Sequence, residues 1–95
     1  MKEQGIRVIL SVHLRDYTRG VCELEFGEIS SVGALIDALN SRFPGISMRL
    51  LDDQGNVRRY VNIFVDSEDI RSRDGVSTSL SGAREVVILP SVAGG

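Results

Sequence analysis

Tryptophan is absent, histidine and cysteine occur once each as His13 and Cys22, and two tyrosines and three phenylalanines make up the whole aromatic content. One cysteine cannot close an internal disulfide, and one histidine beside it leaves no ligand set at zinc spacing, so disulfide and structural-metal scaffolds are excluded together. Neither charge dominates: 11 Lys plus Arg stand against 13 Asp plus Glu, a formal net of −2. That balance offers no basic field to nucleic acid or to an anionic membrane. No long apolar run is present. Met1 to Gly5 leads into a stretch too short and too alternating for a signal peptide or a membrane span, and the expected location is cytoplasmic. No Gly-rich phosphate cradle and no catalytic triad can be assembled from these residues, so an enzyme is not expected.

What remains is one small domain. Ninety-five residues can bury somewhat over about 60% of the surface that their unfolded chain exposes. From Ile6 to Leu14 the even positions Ile6, Val8, Leu10, Val12 and Leu14 are apolar and polar residues mostly separate them, the pattern of a half-buried strand. Asp16 to Gly20 supplies a turn, and Cys22, Leu24 and Phe26 then alternate with Glu23 and Glu25, which completes a hairpin and places Cys22 as a small buried hydrophobe. His13 falls on the polar face and is expected in solvent. Ser30 and Ser31 offer an N-cap, and Val32, Leu35, Ile36, Leu39 and Phe43 form one apolar stripe before Pro44-Gly45 stops the helix. Ile46 to Leu51 is ambiguous between a helical turn and irregular chain. Asp52 and Asp53 read as solvated carboxylates of a turn through Asn56.

Val57 to Asp66 alternates again, with Val61, Ile63 and Val65 facing the helix and Tyr60 and Phe64 facing away. Ser67 to Gly82 is polar and loop-like, with Leu80 expected to plug the core and Asp66, Glu68, Asp69, Arg71 and Arg73 forming a solvated turn or, alternatively, a docking aid. Val86 to Leu89 is a buried strand that ends at Pro90, which lacks the ladder donor. This order of elements predicts an α+β fold of ubiquitin-like β-grasp type. Its mixed sheet of four to five strands carries one main helix on one face, and the final strand lies parallel to the first. The domain is expected over 1–90, with a flexible Gly-Gly tail over 91–95. Five residues reach roughly 16 to 18 Å, and two glycines without a Cβ can enter a narrow channel. Val87 and Leu89 point outward by the pleat, where Ile9 and Phe64 join them in an apolar, partner-binding patch.

The segment Arg59-Tyr60-Val61-Asn62-Ile63-Phe64-Val65-Asp66-Ser67-Glu68-Asp69-Ile70-Arg71, followed by Val86 through Gly95, resembles the ThiS/MoaD family of prokaryotic sulfur carrier proteins. Within that family, Val61 to Asp66 and the Val92-Ala93-Gly94-Gly95 ending look most like the carriers of cysteine biosynthesis. Two departures are visible: Pro90-Ser91 replaces a frequent Pro-Pro, and Ala83-Arg84-Glu85 replaces Gly-Asp-Glu. The resemblance implies that the Gly95 carboxylate is adenylated with ATP by an E1-like partner and converted to a thiocarboxylate. It implies no bound cofactor, since sulfur is carried covalently at Gly95. The acceptor would be an acrylate held on pyridoxal phosphate by a cysteine-synthase-like enzyme, and a metalloprotease would release the product. Alternatives within the family are the small subunit of molybdopterin synthase and carriers for thiazole or siderophore sulfur. Outside it stand a protein modifier joined through Gly95 to lysines and a plain β-grasp interaction module.

Overall fold

Ser11 decides where the first strand ends. Its hydroxyl accepts a hydrogen bond from the His13 N–H at 3.1 Å and turns the chain into a 3-10 helix over Val12–Leu14. In this computed structural model, which describes residues 5–90, strand β1 is therefore Ile6–Leu10 rather than a strand running to Leu14. A one-turn helix, α1 (Arg15–Thr18), follows and closes on Arg19 in the left-handed region at φ 56°. Helical spacing sends Leu14 and Thr18 inward together, while Val12 is 51% exposed. Strand β2, Glu23–Phe26, pairs antiparallel with β1, opposing Val8 to Leu24 and Ile6 to Phe26. Cys22 lies one residue ahead of the strand and is exposed, its Sγ 3.6 Å from the Gly20 carbonyl, which corrects the expectation that it is buried.

Helix α2, Val32–Arg42, starts on Ser31, whose hydroxyl accepts from the Ala34 N–H at 3.2 Å, and its stripe of Val32, Leu35, Ile36 and Leu39 is buried. Gly45 takes φ 100°, a conformation costly for a residue with a Cβ, and redirects the chain into α3, Ile46–Leu50. The ambiguous segment is thus helical. Gly45 has no side chain to cap with, so Asn40 does it from α2: its Oδ1 accepts from the Gly45 and Ser47 N–H groups, both at 3.0 Å.

Strands β3 (Val61–Val65), β4 (Glu68–Asp69) and β5 (Glu85–Pro90) complete a five-stranded sheet in the order β2-β1-β5-β3-β4. The β1–β5 pair is parallel and the others are antiparallel, so β5 sits at the centre as expected. Val8, Leu10, Val61, Ile63, Val86 and Ile88 meet the α2 stripe in one core, which Leu80 and Ile70 close from the 70s loop. Tyr60 does not lie on the uncovered face. A turn through Arg58 and Tyr60, closed by the Val61 N–H to Arg58 carbonyl bond at 2.9 Å, interrupts the pleat, and Tyr60 packs against the core under the Arg49 guanidinium. Between β3 and β4 a two-residue loop places Asp66 at φ 48° and Ser67 at φ 75°. The Asp66 carboxylate accepts from the backbone N–H groups of Arg84 and Glu85, each at 3.0 Å, and fixes the start of β5.

Candidate functional site

The face of the sheet opposite α2 has no covering element among the described residues. Alternation along β1, β3 and β5 sends Ile9, Phe64, Val87 and Leu89 to that face. Register then decides which of them touch. Ile9 and Phe64 both oppose Val87, so the three form one row across β1, β5 and β3, with Glu23 of β2 and Asp69 of β4 at its ends. Leu89 stands two residues further along β5, opposite Asn62, and is 41% exposed. The first three are half-buried by their neighbours and offer their outer edges. The structure thus brings all four sequence-identified residues onto one surface, framed by charge such as the exposed Arg7–Glu23 ion pair at 3.5 Å.

The other expected site, Gly95 with Val92, Ala93 and Gly94, lies outside the described residues. Its anchoring point does not. β5 ends at Pro90, buried opposite Val61, beside the apolar face. Val12 and Val21, missed in the sequence reading, are exposed at the same end of the sheet, where the Ser11 N–H reaches the Ile88 carbonyl and the Leu10 N–H the Cys22 carbonyl. Their exposure follows from the early end of β1.

The remaining candidates resolve into structural roles. His13 is exposed. Asp52 Oδ1 accepts from the Gln54 and Asn56 N–H groups at 2.9 and 3.0 Å and shapes the turn. Glu68 and Arg73 pair at 3.7 Å in solvent. Arg71 was expected in that same solvated turn, yet its guanidinium donates to the carbonyls of Val61, Arg58 and Arg59 and to Asn62 Oδ1. At the opposite end of the sheet an open cleft of about 1220 Å³ lies between Phe26–Ser30 and Ser79–Ala83. Among the described residues no group of three or more His, Cys, Asp or Glu is placed to hold a metal, and no helix is long and apolar enough to cross a membrane.

A mixed sheet with its last strand central, one main helix across one face and an open apolar face on the other defines a ubiquitin-like β-grasp domain. The chain belongs to the ThiS family, which it matches over residues 8–95. It is 37% identical over 93 residues to the sulfur carrier protein CysO of Mycobacterium tuberculosis, spanning 96% of this chain and 99% of that one. Its fold superimposes on the crystal structure of the Amycolatopsis orientalis BexX/CysO complex with a TM-score of 0.83 and 32% identity, over 95% of this chain and 99% of the matched chain. It is also 32% identical over 66 residues to small archaeal modifier protein 3 of Haloferax volcanii, covering 70% of this chain and 71% of the relative.

Proposed function

We propose that this protein is a sulfur carrier loaded at Gly95 and discharged in cysteine biosynthesis. The observation that carries the reading is that the ThiS-family match runs through residue 95 and so takes in Gly94 and Gly95. Full-length similarity to a mycobacterial sulfur carrier supports the choice of pathway.

The chemistry follows from what a carboxylate lacks. It is a poor electrophile, because its negative charge opposes attack and an oxide is a poor leaving group. In an E1-like adenylating enzyme a Gly95 oxygen attacks ATP, pyrophosphate leaves, and a mixed anhydride with AMP results. A sulfide equivalent then adds at the acyl carbon and expels AMP, which leaves the thiocarboxylate. Its sulfur would add to the β-carbon of an aminoacrylate held by a cysteine-synthase-like enzyme while the α-carbon takes a proton; once the α-amine is free, the acyl group moves from sulfur to that amine, which leaves cysteine joined to Gly95 through an amide. A metalloprotease hydrolyses that bond. Every catalytic group belongs to a partner, in the cytoplasm. The carrier contributes the Val92–Gly95 tail and the docking face of Ile9, Phe64, Val87 and Leu89. An interaction of this kind accords with the capture of a related CysO in complex with BexX.

Loading by a purified adenylating partner tests the reading. Wild type should acquire sulfur at Gly95, while chains with one residue added after Gly95, or with Gly95 removed, should not. Equal loading of all three would refute it. Similarity to an archaeal modifier protein supports a second reading, conjugation of Gly95 to lysines. Higher-mass adducts on denaturing gels would select it.

A further inference from the structure

Asn62 is an amide in an otherwise apolar strand, where such a residue is disfavoured. Its side chain lies between two groups on the outer face. On one side Arg71 Nη1 donates to its Oδ1 at 3.1 Å; on the other its Nδ2 donates to the Leu89 carbonyl at 3.4 Å. Because a guanidinium can only donate, Arg71 fixes which way the amide faces and leaves the nitrogen aimed at Leu89. Arg71 is itself held: its Nη2 donates to the Val61 carbonyl at 2.6 Å and to those of Arg58 and Arg59 at 3.1 and 3.2 Å. The β3–β5 ladder already secures the sheet from Val61 to Val65. The extra bond therefore reinforces the ladder at the Asn62–Leu89 pair, one step before its last pair, Val61 with Pro90.

Leu89 C=O and Pro90 N belong to one planar peptide unit. A donor fixed on that oxygen fixes the plane, and the proline ring, which holds φ near −65°, carries the orientation forward. We propose that Arg71 and Asn62 are positioning residues that set the direction in which the chain leaves β5 toward Gly95, and so the geometry in which the terminus enters the adenylating enzyme. The proposal rests on the carrier reading of Gly95. Neither residue touches the reacting atoms.

The test uses the full chain in four forms: wild type, Arg71→Lys, Asn62→Ala and Asn62→Asp. Lysine keeps the charge but cannot hold the carbonyls and the amide in one planar fork. Aspartate keeps the bond to Arg71 but has no donor for Leu89. All three variants should shift the Leu89 carbonyl carbon resonance, Arg71→Lys included although Arg71 does not touch Leu89. In loading by an E1-like adenylating enzyme, measured well below each variant's own unfolding transition, each should lower kcat/KM by about fivefold, the equivalent of one hydrogen bond. An unmoved Leu89 resonance in Arg71→Lys, wild-type loading of Asn62→Asp, or a loss of loading that merely tracks loss of fold would each overturn the proposal. Failure of wild type to load would overturn the carrier reading instead, and the Leu89 resonance would still decide whether the relay exists.

Discussion

Phe64 is where the proposed docking face is most open to test. Its ring sits in the row between Val87 and Asp69, half-buried, on a strand that needs a β-forming residue. Aspartate would place a second carboxylate directly opposite Asp69 and mix loss of fold with loss of contact. Threonine removes the ring and keeps the strand preference. The fold then loses one cross-strand apolar contact, about 1 kcal/mol at most, which in a domain of this size lowers Tm by about 4 to 8 °C. A partner that seats the ring as its central anchor loses about 2 kcal/mol, or roughly 30-fold in Kd. Calorimetric titration with the adenylating enzyme measures this, with Met48→Ser, on the helix side and 73% exposed, as the control that should bind normally. A change under about threefold for Phe64→Thr in a folded protein would refute the assignment of this face.

Thr18 Oγ1 is buried and finds no hydrogen-bond partner among the described residues, so Thr18→Val should stabilise the fold by about 1 kcal/mol in urea unfolding. Asn40→Ala removes the side-chain cap of α3 and should cost about 1 to 2 kcal/mol, most of which Asn40→Asp should restore because a carboxylate can accept both N–H bonds. Gly94→Val should leave unfolding unchanged and abolish loading at Gly95, since a β-branched side chain stiffens and widens the tip.

The strands that build the sheet were legible because burial imposes period two: Ile6, Val8 and Leu10, then Val61, Ile63 and Val65, alternate in sequence as they do in space. The α2 stripe and the Ser31 cap were legible for the same local reason. Where the reading missed, a local bond overrode the pattern. Ser11 turned the alternation at Val12 and Leu14 into helical spacing, which Leu14 and Thr18 at a separation of four would have signalled. Cys22 was drawn into a strand that begins one residue later. Tyr60 kept the parity of β3 in sequence but lost it in the turn through Arg58. The four residues of the apolar face could be named in advance since each follows from pleat alone. The Arg71–Asn62–Leu89 chain could not, because it joins residues 9 and 27 positions apart through side chains whose aim only the fold sets.

Sulfur at the terminus is the claim on which the functional account stands. Intact mass of the protein, co-expressed with an adenylating partner shown to be active by pyrophosphate exchange, reads it directly. The account predicts a species in which one oxygen is replaced by sulfur, with the change confined to the peptide ending at Gly95. A mass that stays at the free carboxylate while the partner turns over would contradict it.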